Sequence, residues 1–111
     1  MKFGSWWQKL WSVCGVGLAL YERGMQQANR HHEKSAMESY TDSIEMPDMP
    51  GDVRAMSLYN RALLHEVSKN YTLARADLNA IFAIPSVPHQ IASSARQKLE
   101  RMKLRETAEH T

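Results

Sequence analysis

The stretch LYNRALLHEVSKNYTLARADLNAIFAIP, Leu58 to Pro85, spells two helices joined by a tight turn. Val53, Met56, Leu63, Leu64 and Val67 recur at helical spacing up to Lys69 and Asn70, where the pattern breaks and Asn70 is placed to cap a second helix. Tyr71, Ala74, Leu78, Ile81 and Phe82 then fall at i, i+3, i+7, i+10 and i+11, one apolar stripe of that helix. Pro85 stops it, because the residue before a proline is pushed out of helical geometry. Pro50 suits the first turn of the leading helix, where a missing N–H costs nothing.

Working outward, the same pattern occurs twice. LYNRA, Leu58 to Ala62, repeats LYERG, Leu20 to Gly24, at an offset of 38 residues. In that one register Leu20 pairs with Leu58, Tyr21 with Tyr59, Arg23 with Arg61 and Gly24 with Ala62. Downstream, Ala36 pairs with Ala74, Tyr40 with Leu78, Ile44 with Phe82, Met46 with Ile84, Pro47 with Pro85 and Pro50 with Pro88. A gapless match of this length marks an internal repeat. Val53 still matches Ile91, and then the copy decays.

The expected fold is therefore all-α: antiparallel helix hairpins, about five helices in all. Unit one covers about 5–47, unit two about 48–85, and a closing helix about 88–106, in a single domain over residues 1–111. The first unit carries Trp7, Trp11, Cys14, Leu18 and Tyr21 on one helix and Ala36, Tyr40 and Ile44 on the next, with the turn near Asn29 to His32. The closing helix carries Ile91, Ala95, Leu99 and Met102 on one stripe, and the polar ETAEHT beyond Arg105 is expected to fray. The small pairs Gly24/Ala36 and Ala62/Ala74 let the two helices of each hairpin cross closely. A leucine at Ala62 or Ala74 would overpack that crossing by about 1–3 kcal/mol.

With these positions placed, the chain resembles the tetratricopeptide repeat family. Leu58, Ala62, Tyr71, Ala74, Leu78 and Pro85 stand in that family's pattern, and residues 20–47 follow it with Glu33 in the place of Tyr71. The period of 38 departs from the usual 34, with the excess in the MPDMPG and IPSVPH connections, and His31 or Lys69 replaces the turn glycine. The resemblance implies an α-α superhelix whose leading helices line a concave groove holding a peptide or helix of another protein. By position, that groove would present Tyr21, Met25 and Ala28, then Tyr59, Asn60, Leu63 and Glu66, and then Gln97, Lys98 and Arg101. A carboxylate clamp of the kind some members use is not expected, since Glu22 occupies the counterpart of Asn60.

Composition narrows the alternatives. Of the 111 residues, 43% are hydrophobic and 23% charged, a balance that folds rather than staying disordered. A net charge of +2 is too small to advertise nucleic acid. Arg96, Lys98, Arg101, Lys103 and Arg105 interleave with Glu100 and Glu106 as on a solvated helix face. Catalytic signatures are missing: His31, His32 and Glu33 belong to a turn, and HEVSK lacks the second histidine of a zinc-binding helix. The expectation is a non-enzymatic module with no metal and no cofactor. Cys14, the single cysteine, forms no internal disulfide and stands as a small hydrophobe.

Two units bury little area, and about three are usually needed for independent stability. Trp6, Trp7 and Trp11 are placed to supply the missing apolar cap, each contributing about 2–3 kcal/mol when buried. Packed inward they complete a monomer; left exposed they form a homo-oligomer interface or a docking patch. LWSVCGVGLAL, preceded by Lys2 and Lys9, is too short to span a membrane, which takes about 20 apolar residues. Cleaving it as a signal would also remove half of a helix of the first unit. A cytoplasmic, protein-binding chain is the expectation.

Overall fold

The structure, a computed structural model, describes residues 18–109. Among the described residues there are five helices and no strand. Helix α1 runs through 18–29, α2 is Glu33–Glu45, α3 Gly51–Val67, α4 Tyr71–Ile81 and α5 His89–Glu109. Trp6, Trp7, Trp11 and Cys14 lie outside the described residues.

The turns within the two hairpins are built from the same backbone bonds. In the first, His31 N–H donates to the Ala28 carbonyl and His32 N–H to the Gln27 carbonyl; in the second, Lys69 N–H donates to Glu66 and Asn70 N–H to His65. Each pair is the Schellman closure, which satisfies carbonyls orphaned at a helix end. The next helix starts alike in both, with Ala36 N–H on the His32 carbonyl and Ala74 N–H on Asn70. The two proline-led starts also match, with Arg54 N–H on the Pro50 carbonyl and Ala92 N–H on Pro88. Every donor and acceptor here is separated from its counterpart by 38 positions.

Helix α3 lies at the centre. Its Leu58 and Ala62 join Ala55, Ala74, Leu78, Ile81, Ala95 and Met102 in one buried cluster with α4 and α5. Its Leu64 joins Tyr21, Ala36 and Tyr40 in a second cluster with α1 and α2. Fully burying Leu78 and Ile81 stabilises by about 1.5–3 kcal/mol each. The small residues sit where the helices cross. Ala36, Ala62 and Ala74 are buried, and a Cβ on Gly24 would lie 2.6 Å from Cε1 of Tyr40. Between α2 and α3 the core is polar at one point, where the Ser43 and Ser57 hydroxyls meet at 3.0 Å.

Three local expectations change. Met56 and Val67 share the helical periodicity of α3 yet are exposed, because Ala55, Leu58 and Ala62 form the face that turns inward. Asn70 occupies the position before α4 without a side-chain cap, its backbone at φ −88° and ψ 67° lying outside the extended conformation that capping residues normally take. Helix α5 continues past Arg105 to Glu109. There Glu106 pairs with Arg75 of α4, and the Thr107 hydroxyl donates to the Lys103 carbonyl at 2.9 Å.

Candidate functional site

Helices α1 and α3, which lead the two hairpins, and the closing helix α5 share one side of the molecule, where two adjoining hollows open. The first, about 290 Å³, is bounded by Tyr21 of α1, by Met56, Tyr59 and Asn60 of α3 and by Gln90, Ile91 and Ser94 of α5. The second, about 200 Å³, is bounded by Met25, Ala28, Asn29, Tyr40, Asn60, Leu63 and Leu64. Asn60 belongs to both, and its Nδ2 donates to the Tyr21 hydroxyl at 3.2 Å. The Asn60–Tyr21 pair therefore stands between two largely apolar hollows, with Gln90 and Ser94 as polar lining of the first and Asn29 of the second.

Each hollow has one exposed methionine, Met25 at 40% and Met56 at 37%. Tyr21 is only 7% exposed. Its ring packs against Tyr40, centroids 6.2 Å apart and planes at 46°, while its hydroxyl accepts from Asn60. Burial pushes the Tyr40 phenol up to about 12, with Tyr21 adding to the effect. Toward the C-terminal end of α3, Glu66 Oε1 meets Lys98 Nζ of α5 at 2.6 Å, while Glu66 Oε2 is buried without a partner. That pair neutralises both groups and ties α5 to α3. Arg101, one turn beyond Lys98, is exposed.

The geometry thus brings Tyr21, Met25, Tyr59, Asn60 and Leu63 to one trough, with Glu66 and Lys98 paired between α3 and α5. Met56, Gln90, Ile91 and Ser94 also line it. Periodicity alone puts Met56 in an apolar stripe; its neighbour Ala55, small enough for a helix crossing, is the signal in the sequence that the inward face lies elsewhere. Gln97 is exposed and borders neither hollow.

The opposite side of α3 carries a separate polar network. Arg61 donates through Nε and Nη2 to the two carboxylate oxygens of Asp77 at 2.8 and 2.7 Å, and through Nη1 to the Thr41 hydroxyl at 3.2 Å. Thus α2, α3 and α4 are joined by one guanidinium, whose fork matches the carboxylate. The Asp77 hydrogen bond raises the Arg61 pKa, so the cation is permanent. His65 Nε2 lies 3.6 Å from Asp77 Oδ2. Burial lowers the His65 pKa, the Asp77 carboxylate opposes that, and Arg61 reinforces it. Thirty-eight positions earlier, Ser39 donates to Gln27 at 2.7 Å, so the positions held by His65 and Asp77 also face each other in the first hairpin.

Beside that network, Ile44, Leu58, Ala80, Ala83, Ile84 and Pro85 wall an open cleft of about 590 Å³ with Arg54, Arg61 and Asp77 on its lining.

His31, His32 and Glu33 are exposed at the first turn. Adjacent His65 and Glu66 point to different partners, Asp77 and Lys98. Among the described residues no group of three or more His, Cys, Asp or Glu could hold a metal ion, and no helix is long and apolar enough to cross a membrane. Arg96 and Lys103 lie on one side of α5 and Arg101 and Arg105 on nearly the opposite side, at about 100° per residue. In comparisons with known proteins, no family model, no curated protein and no solved structure matches the chain.

Proposed function

We propose that the chain is a non-enzymatic protein-association module of the tetratricopeptide-like kind, and that the trough across α1, α3 and α5 receives a peptide or helix of a partner protein. The observation that carries this reading is the trough itself. Met25 and Met56, both exposed, stand in two largely apolar hollows on either side of the hydrogen-bonded Asn60–Tyr21 pair. Methionine and tyrosine make adaptable contact surfaces, since the thioether is flexible and the phenol offers an apolar face with a polar tip. Apolar hollows with a few placed polar groups are what fix a ligand's orientation.

Selection of displayed peptides on the full chain tests this, with amide shifts used to locate the bound sequences. Peptides that perturb Met25, Asn60, Leu63 and Ser94 and are lost in Met56→Glu support it. Peptides that perturb another face overturn it. The solution mass of the full chain, with and without Trp6→Ala/Trp7→Ala/Trp11→Ala, decides the competing use. A dimer that dissociates in the triple variant would move the working surface to the N-terminal segment, and a monomer in both leaves it in the trough.

A further inference from the structure

Of the two arginines on the cleft beside Ile44 and Ile84, Arg54 is the one with no anion among the described residues. Its Nη2 donates to the Met46 carbonyl at 3.2 Å, its Nε is buried without a partner, and no carboxylate among the described residues lies within ion-pairing distance of it. Arg61, on the same cleft, is already matched by Asp77. Asp52, two residues before Arg54, is exposed and spends Oδ1 on the Val53 N–H at 2.9 Å. Glu45 is an exposed residue whose charge is felt by Arg61 and screened by water. A half-buried guanidinium with a buried Nε–H left unmatched holds its charge at a cost, and an anion arriving at the Nη groups, which face water, offsets that cost. Position adds to the effect, because Arg54 stands at the end of the first turn of α3, where the helix dipole favours negative charge.

We infer that the cleft between α2, α3 and α4 binds a small alkyl carboxylate, its carboxylate on the Arg54 guanidinium and its chain along Ile44, Leu58, Ala80 and Ile84. The planar fork of arginine suits a carboxylate. The walls select the rest of the ligand. Their side chains are aliphatic, and the one polar group besides Arg54, the Arg61–Asp77 pair, is satisfied internally. A peptide lying there would leave amide groups facing aliphatic walls, and a phosphate would find one fork for a larger charge; an alkyl chain carries no such polar groups. This site is distinct from the trough and stands or falls without it.

The test is titration of the isotopically labelled full chain with sodium octanoate below its aggregation threshold, read from backbone amide shifts. Saturable shifts at Ile44, Leu58, Ala80 and Ile84 are expected, with affinity falling about tenfold or more in Arg54→Gln. Octylammonium, with the same tail and opposite charge, is expected to give no saturable shift there. Should Arg54→Gln fail to fold, octanoate labelled at its carboxyl carbon answers the question in the unaltered chain, since the bound carboxyl must titrate below the free one. Octylammonium binding as tightly, unchanged affinity in Arg54→Gln, an unshifted carboxyl titration, or shifts confined to the trough would each overturn the assignment. Acetyl-leucyl-leucine displacing octanoate at lower concentration would overturn the alkyl identity and give the cleft to a polypeptide terminus.

Discussion

His31 and Lys69, 38 positions apart, both hold left-handed backbone, with φ of 62° and 63°. Each is the residue after which its hairpin turns, and each closes the same pair of bonds. A left-handed turn position favours glycine, yet neither residue is one. The left-handed region costs an L-residue about 1–2 kcal/mol, whereas glycine enters it freely and forfeits about 0.5–1 kcal/mol of chain entropy.

His31→Gly is therefore expected to stabilise the fold by about 0.5–1 kcal/mol, a rise of several degrees in melting temperature. Lys69→Gly should gain less. Its ammonium lies beyond the C-terminal end of α3, where a cation is favoured by a few tenths of a kcal/mol, and glycine removes that contribution. Thermal denaturation of the two variants checks the order, and equal losses would mean that the turns are not strained.

A second expectation concerns Gly24. Alanine there would gain about 1 kcal/mol of helix propensity in α1, but its Cβ would meet the Tyr40 ring at 2.6 Å. Tyr40 is buried between the hairpin helices, and its ring is held there by packing against Tyr21. Overpacking of this kind costs about 1–3 kcal/mol, so Gly24→Ala is expected to destabilise by about 1 kcal/mol net. In the presence of Tyr40→Leu the same substitution should be neutral or favourable, a coupling that a double-mutant cycle in urea measures.

The third expectation is a dependence on pH. His65 is held below its ordinary value of 6.5 by burial, so the folded chain binds fewer protons there than the unfolded chain does. Stability contributed by this group is present above pH 6.5 and is lost as pH falls below that value. His65→Gln should flatten the slope of stability against pH between about 7.5 and 5.5. Asp77→Asn should steepen it, since it removes the carboxylate that opposes burial. It should also cost about 2–3 kcal/mol at pH 7.5, because Arg61 is left without its anion, a loss moderated by the water that still reaches the guanidinium. Urea unfolding at several pH values tests both.

Much of the fold was legible because its punctuation is local. Pro50, Pro88 and the His31 and Lys69 turns fix where helices start and stop, and the small residues at 24, 36, 62 and 74 mark the crossings. What escaped depends on which way a helix rolls. Met56 and Leu58 obey the same periodicity, and only packing against α4 decides that Leu58 goes inward. The Arg61–Asp77 bond spans a turn between two helices, and the matching residues in the first hairpin, Arg23 and Ser39, gave no acidic partner to point to it. Arg54 is informative for what is missing around it, and an absence of partners has no sequence pattern.

The trough makes the fourth prediction, which separates folding from binding along one helix. Met56 is exposed on the first hollow and Leu64 is buried beneath the second. Met56→Glu should leave stability within about 0.5 kcal/mol, because its carboxylate remains in water. A peptide selected on the unaltered chain should nevertheless bind it about tenfold or more weakly, since occupation of the first hollow would desolvate that charge beside apolar groups. Leu64→Glu should instead unfold the chain, as it buries the same carboxylate against Tyr40 and Ala36. Asn60→Ala stands between them: loss of its bond to Tyr21 costs about 0.5–1.5 kcal/mol of stability and merges the two hollows. Fluorescence anisotropy with the selected peptide, alongside melting curves, distinguishes the three. Full binding by a folded Met56→Glu chain would place the working surface elsewhere.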